Sequence, residues 1–195
     1  MSMTLGSSHV MRLVRPTEEH LPSYVAALKR GWSPNNERGL AASQEELGLI
    51  EADPRSFVES LEDREAKGLP VTMPDGSHVP RLPGLRRWMW DEEFAGSIGF
   101  RWQNGTSDLP PYCLGHIGYS VVPWKQRRGY ATAALLSVLD EARLMGMHYV
   151  EITADPDNVP SQKVILAAGG ILYERFTTTP HFGSKPCLRF RIALR

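Results

Sequence analysis

A short basic segment containing one glycine joins a strand-like run to an amphipathic helix, and this junction constrains the fold more than any other feature. Residues 117–122 have the composition of a buried strand, and the run QRRGYA follows at residues 126–131. Residues 131–145 then place apolar side chains at helical spacing, and Gly146 is suited to end the helix. The order of strand, glycine turn and helix predicts a helix that packs against its preceding strand.

The start of this helix is suited to binding an anion. The first backbone N–H groups of a helix lack partners within it, and the helix dipole adds partial positive charge there. Gly129 permits close approach of a ligand to the backbone, and Lys125, Arg127 and Arg128 add positive charge nearby. We therefore predict a pyrophosphate site. The alternative is a solvated basic loop that merely precedes a helix.

Composition favours one globular domain spanning residues 1–195, with residues 1–10 as a flexible N-terminus. A chain of 195 residues with 42% hydrophobic content is long enough for one sizeable core. The formal net charge is zero and the pI is near 7.0, so no global charge favours nucleic acid or an anionic membrane.

The two cysteines indicate neither a disulfide framework nor a metal site. Cys113 and Cys187 are far apart and lack the spacing of metal ligands, so we expect free thiols and no bound metal. No apolar run reaches the roughly 20 residues that a membrane helix needs, and residues 1–10 lack the pattern of a secretory signal. These features predict a soluble, cytoplasmic protein.

Periodicity and turn residues predict the remaining elements. Ser43 and Glu46 form a capping-box pattern before helical segments that are interrupted at Asp53-Pro54. Residues 69–84 are rich in proline and glycine, which predicts a mobile or ligand-covering loop. The other predicted elements are strand 11–15, a helix from Glu18 to about Lys29, a hairpin of 86–91 and 94–103, strand 147–154, helix 160–168, and strands 171–176 and 188–194.

Two segments resemble motifs of the GNAT superfamily of acyl-CoA-dependent N-acyltransferases. They are HIGYSVVPWKQRRGYAT at residues 116–132 and NVPSQKVILAAGG at residues 158–170. The resemblance covers the chain from about residue 85. It implies an α+β (mixed α/β) fold with a central mixed, mostly antiparallel sheet, splayed between two parallel strands and flanked by helices. It also implies an N-acetyltransferase that moves an acetyl group from acetyl-CoA to a primary amine by direct attack.

The resemblance assigns a binding site for acetyl-CoA between strands 117–122 and 149–154. Backbone groups of Val121 and Val122 would pair with the pantetheine arm in place of a missing strand. The second motif would contribute Asn158, Ser161 and Lys163, although a turn or helix cap is an alternative role for Asn158. The pyrophosphate would be bound, mostly through backbone amides, by Gln126, Arg127, Arg128, Gly129, Tyr130, Ala131 and Thr132.

The implied chemistry needs an oxyanion donor and a base. The backbone amide of Val121 or Val122 is the candidate donor. His116 is a candidate base, because an unperturbed imidazole has a pKa of about 6.5. Strand alternation does not say which face of the strand meets the substrate, so a structural role for His116 stays open. Glu151 is a second candidate base, and an exposed structural carboxylate is its alternative.

The acid that would protonate the leaving thiolate is not assigned by the resemblance. Many family members have a tyrosine at the position that Ile165 occupies in this chain. Tyr173, Tyr119, Ser161 or water remain as alternatives, although a buried tyrosine more often serves packing.

The resemblance implies that the acetyl group is accepted by an amine of an unidentified small molecule, peptide or protein. An acceptor with an aromatic or apolar body is one hypothesis, and family analogy also suggests a homodimer. A different class of function is an acyl-CoA-binding regulatory module without turnover, which the missing tyrosine motivates. A site for ATP or a dinucleotide is disfavoured, because the glycine patterns of those sites are absent. The aromatic side chains available to an acceptor are Trp32, His78, Trp88, Trp90, Trp102 and His181.

Overall fold

The computed structural model describes residues 10–35, 38–73 and 76–194, apart from the side chain of His181. Most of the predicted flexible N-terminus, residues 1–9, lies outside this part of the chain.

The first half contains a strand followed by three helices. Asp53 caps the third helix, since its Oδ1 atom accepts a hydrogen bond from Ser56 N at 3.0 Å. The interruption predicted at Asp53-Pro54 is therefore confirmed. The capping box predicted at Ser43 is wrong, because the second helix already begins at Leu40 and buries Ser43. The elements are β1 (Arg12–Val14), α1 (Leu21–Lys29), α2 (Leu40–Ala52) and α3 (Pro54–Ser60).

An antiparallel sheet occupies the middle of the chain. Its strands lie in the order β1, β5 (Gly84–Asp91), β6 (Glu93–Arg101) and β7 (Ile117–Val121), and the short strand β2 (Glu62–Asp63) also pairs with β5. The predicted hairpin is confirmed as β5 and β6, which turn at Glu92 with a positive φ of 58°. In the segment predicted to be a loop, the described residues form two short paired strands, β3 and β4. These two strands are β3 (Val71–Thr72) and β4 (His78–Val79).

The second half begins with the predicted central helix and ends in a three-stranded antiparallel sheet of order β8-β10-β9. All five of its regular elements start and end close to the predicted positions. They are α4 (Tyr130–Leu144), β8 (Tyr149–Ala154), α5 (Val159–Ala167), β9 (Ile171–Thr177) and β10 (Pro186–Ala193).

Two apolar clusters hold the layers together. The larger cluster packs α4 and α5 against one face of both sheets, and the smaller packs α1 against the opposite face of the first sheet. Trp32, Trp88 and Trp102 are buried within these clusters. The hypothesis of an aromatic acceptor site therefore loses three of its six side chains to packing. None of the described helices is long and apolar enough to cross a membrane.

The two sheets meet at the residue before β7. His116 N donates to Glu151 O at 2.7 Å, and Glu151 N donates to the Nδ1 atom of His116 at 2.9 Å. Gly115 permits this close approach, because a Cβ atom there would lie 3.2 Å from Glu151 O. In the described part of the chain β7 and β8 share no ladder, and they belong to separate sheets. A gap between them therefore begins at this junction.

Candidate active site

The edge of β7 that faces the gap offers free backbone groups. Residues of an antiparallel strand point their backbone groups alternately to one side and the other. Val122 N donates to Ala95 O at 3.0 Å, and Arg101 N donates to His116 O at 2.9 Å, so even-numbered residues face β6. The N–H groups of Tyr119 and Val121 consequently face the gap.

Val122 is not available for either of its predicted roles. Its N–H is bonded to Ala95, and its carbonyl oxygen accepts from Lys125 N at 2.9 Å. Of the predicted pair, Val121 therefore remains the candidate oxyanion donor, and Tyr119 N is a second candidate, which the sequence analysis missed. Strand alternation counted from Val121 would have identified Tyr119.

The start of α4 has the open backbone that an anion site needs. Gly129 precedes the helix with a φ of 78°, and nothing lies within 4 Å of the position that a Cβ atom would take. Ala133 N donates to Gly129 O, whereas the amides of Tyr130, Ala131 and Thr132 have no acceptor within the described residues. Gln126, Arg127 and Arg128 are exposed beside them, and Gln126 Nε2 donates to Val121 O at 3.3 Å. The predicted pyrophosphate segment thus lies next to the gap.

Lys125 braces this segment and is not part of the charged site. Its ammonium group is buried and donates to Asp91 O at 2.9 Å and Asp91 Oδ2 at 3.2 Å. The same carboxylate accepts from Tyr130 OH at 2.6 Å and lies 3.6 Å from Arg128. The prediction that Lys125 adds positive charge to the anion site is wrong, because Asp91 and Glu93 pair with it.

A pair of hydroxyl groups lies where α5 meets β7. Tyr119 OH is 3.0 Å from Ser161 Oγ and donates to Ser161 O at 3.2 Å. Burial raises the pKa of Tyr119 to about 12, so the hydroxyl keeps its proton at neutral pH. Asn158 Oδ1 accepts from Ser161 N at 3.1 Å and caps α5, which is the alternative role expected for Asn158.

The other residues of the second motif are divided between surface and core. Lys163 is exposed on α5, whereas Ile165 is fully buried. Ile165 packs in the larger apolar cluster, so this position has no polar group to offer.

His116 is the junction between the sheets and has no exposed surface. Burial is the main cause that lowers its pKa to about 4, with a smaller opposing effect from Glu151. Its Nδ1 atom is occupied by Glu151 N, and its Nε2 atom has no partner in the part of the chain that the structure describes. These surroundings favour the structural role and disfavour the predicted role as base.

Glu151 and Tyr173 share a partner, Arg191. Glu151 Oε1 accepts from Arg191 Nη2 at 2.6 Å, and its other oxygen is 3.6 Å from Arg189. The Arg191 guanidinium stacks 3.8 Å from the Tyr173 ring centroid. Glu151 therefore forms ion pairs with two arginines. Tyr173 is half-exposed on the edge strand β9.

Comparison with known proteins identifies the family and the fold. Residues 11–171 match the family model described as acetyltransferase (GNAT) domain. No curated protein sequence matches significantly. The microcin C7 self-immunity acetyltransferase MccE, solved with acetyl-CoA and AMP, is 15% identical, with a TM-score of 0.62 over 94% of this chain and 92% of that one.

Two further solved structures share the fold. A putative ribosomal-protein-serine acetyltransferase from Vibrio cholerae is 16% identical, with a TM-score of 0.58 over 98% of this chain and 99% of that one. The Salmonella typhimurium enzyme that modifies the N-terminal serine of ribosomal protein L7/L12 is 13% identical, with a TM-score of 0.59 over 97% of both chains.

Proposed function

This chain belongs to the GNAT family of acetyl-CoA-dependent acetyltransferases, and we propose that its acceptor is the primary amine of a small molecule or of a peptide or protein. The observation that carries the acetyl-CoA site, on which this transfer depends, is the set of unbonded amides at the start of α4, beside the gap between β7 and β8.

The residues present fit acetyl-CoA. Amides at the start of a helix bind phosphate oxygens, and the open backbone at Gly129 lets a pyrophosphate approach. The backbone groups of Tyr119 and Val121 can pair with an extended amide-containing arm, as an added strand would. Asn158 keeps its side-chain NH₂ group for the same arm, because its helix cap uses only Oδ1.

The chain's own groups divide the remaining chemistry. When bound, acetyl-CoA supplies an activated thioester. One of the N–H groups of Tyr119 and Val121 donates to the acyl oxygen as negative charge develops there, and the other stays with the arm, because donors two residues apart on a strand lie about 6.6 Å from each other. The Tyr119 and Ser161 hydroxyls pass a proton to the departing thiolate. His116 is buried and Glu151 is paired with arginine, so water accepts the proton of the amine.

The runner-up function is an acyl-CoA-binding module without turnover. The burial of Ile165, where many family members have a tyrosine, and the occupied state of His116 and Glu151 favour it. The Tyr119–Ser161 pair argues against it, because two hydroxyls 3.0 Å apart beside the gap can replace the missing acid.

Release of free CoA during incubation with acetyl-CoA and an amine panel tests the two functions. The panel contains arylalkylamines, amino acids, polyamines and peptides. We expect amine-dependent CoA release and an acetylated product detected by mass spectrometry. Binding of acetyl-CoA with no product from any amine would favour the binding module.

Variants of Gly129 test the binding site itself. Gly129→Glu places negative charge beside the amides and should raise the KM for acetyl-CoA about tenfold or more. Gly129→Ala shows how much of the effect comes from backbone strain at a positive φ rather than from the added charge. Gly146→Glu is the matched control, because Gly146 also has a positive φ, 76°, and equally open surroundings at the other end of α4. Equal effects of Gly129→Glu and Gly146→Glu would contradict the assignment.

We also propose that residues 1–195 form a single domain and that the protein is cytoplasmic. The free thiols of Cys113 and Cys187 support the cytoplasmic location. The exposed apolar residues Ile171 and Tyr173 on the edge strand β9 support a homodimer.

A further inference from the structure

A groove of about 280 Å³ lies beside β5 and β6, under the β3–β4 hairpin. At ~30 Å³ for each water molecule, this volume corresponds to about nine waters, which suits a small molecule or one side chain of a larger one. About half of its wall is apolar, and polar side chains such as Arg81 and Arg101 supply the rest. The apolar side chains along it include Leu61, Val71, Met73 and Val79.

The groove approaches the reaction gap from the face opposite α4. Gly99 lines the groove and pairs with Gly118 on β7, the neighbour of Tyr119. Ser120 shares the face of Gly118 and accepts a hydrogen bond from Trp32, which belongs to the α1 layer. Because α4 and its anion site occupy the other face, an acceptor entering from this face meets the gap at Gly118.

The backbone conformation at Gly99 and Gly118 does not require glycine. Neither has a positive φ. A Cβ atom at Gly99 would have its nearest contact at 3.9 Å, and one at Gly118 would have its nearest contact at 3.8 Å. Larger side chains there would therefore extend into the space between the groove and the gap.

Arg101 is the charged group at this end of the groove. Its Nη2 atom is the one 3.8 Å from the Cβ position of Gly118. The nearby carboxylates have other partners: Glu46 pairs with Arg86, Glu151 pairs with Arg191, and two backbone amides bind Asp63. Within residues 10–35, 38–73 and 76–194, no carboxylate lies within 4.0 Å of the Arg101 guanidinium.

We propose that the acceptor is an amine with a compact apolar body and an anionic group, a carboxylate or a phosphate, which Arg101 binds. The inference rests on the proposed acetyl transfer and names the class of its substrate. A guanidinium without a carboxylate partner binds such oxyanions through two parallel hydrogen bonds. The apolar wall accounts for the carbon skeleton, and the open glycines give the amine access to Tyr119.

The experiment compares three acceptors of equal shape and different charge, with acetyl-CoA saturating. They are 4-(aminomethyl)benzoate, its neutral amide 4-(aminomethyl)benzamide, and the cationic 4-(aminomethyl)benzylamine. We expect kcat/KM for the benzoate to exceed that for the benzamide about 10- to 100-fold, and the diamine to be poorest. A fourth probe, 4-(aminomethyl)phenyl phosphate, distinguishes a phosphate preference from a carboxylate preference.

Variants show whether Arg101 is the cause of the preference. Arg101→Gln should bring the benzoate-to-benzamide ratio close to one, and Arg101→Lys should retain part of it. Arg55→Gln removes an equally positive but remote and exposed side chain and should keep the wild-type ratio. A thermal shift with acetyl-CoA verifies that each variant is folded. An equal kcat/KM for both wild-type substrates, or an unchanged ratio in Arg101→Gln, would overturn the proposal.

Failure of the proposed transfer gives a different result. If the wild-type protein acetylates no amine, the transfer proposal fails, and calorimetric binding of 4-(aminomethyl)benzoate to the CoA-bound protein decides the inference. Binding that Arg101→Gln abolishes supports an anion site in the groove, and no binding overturns it.

Discussion

Replacing Lys125 with methionine should destabilise the protein and loosen its acetyl-CoA site together. The Lys125 and Asp91 side chains are only 8% and 5% exposed, and their charged atoms are 3.2 Å apart. Breaking a buried ion pair costs about 3–5 kcal/mol, and we expect about 3 kcal/mol because Tyr130 and Arg128 still face the carboxylate. For a chain of this size that loss lowers the Tm by about 6–12 °C.

Urea denaturation of Lys125→Met, Asp91→Asn and the double variant measures this coupling. The double variant should cost less than the sum of the single variants by at least ~1.5 kcal/mol. The KM for acetyl-CoA should rise, because the brace connects the β5–β6 turn to the segment before α4. Arg55→Met is the control: it breaks an exposed pair with Glu59 and should leave the free energy of unfolding unchanged within error. A Lys125→Met loss below ~0.5 kcal/mol, or additive single variants, would refute the reasoning.

Two further predictions concern His116 and the hydroxyl pair. The pKa of His116 is about 4 in the folded protein and about 6.5 when unfolded, so the unfolded state binds more protons between these values. The free energy of unfolding should therefore fall by about 3 kcal/mol as the pH drops from 6.5 to 4. In urea denaturation at several pH values, His116→Gln should reduce this dependence of the unfolding free energy on pH. An unchanged dependence in the variant would count against the buried imidazole as its cause. Tyr119→Phe and Ser161→Ala should each lower kcat by about 10²-fold with little change in the KM for acetyl-CoA, whereas Tyr173→Phe should leave kcat unchanged. The reverse pattern would identify Tyr173 on β9 as the acid.

Local features of the fold could be predicted from the sequence because they depend on neighbours in the chain. The predicted helix at 131–145 is α4, and its buried face includes Leu135 and Leu139, as the spacing indicated. The glycine turn before it also depends only on local backbone conformation, and Gly129 has the positive φ that glycine accommodates.

Long-range partners explain what could not be predicted. Lys125 looked like an addition to a basic patch, but its partner Asp91 is 34 residues away on another element. Ser43 matched a helix cap in the sequence, yet its hydroxyl donates to Trp32 O in the folded chain. The burial of His116 depends on the meeting of two sheets, and no local pattern encodes that.

The junction at His116 makes acetyl-CoA a structural component of the enzyme as well as its reagent. Among the described residues, the two hydrogen bonds between His116 and Glu151 are the ones that join β8 to the chain entering β7, and one of them is made by the His116 side chain. A ligand in the gap would complete the rest of that seam. A ligand present at 100 times its Kd adds about 2.7 kcal/mol to the stability of the folded state. The Tm of this protein should therefore rise with the concentration of acetyl-CoA.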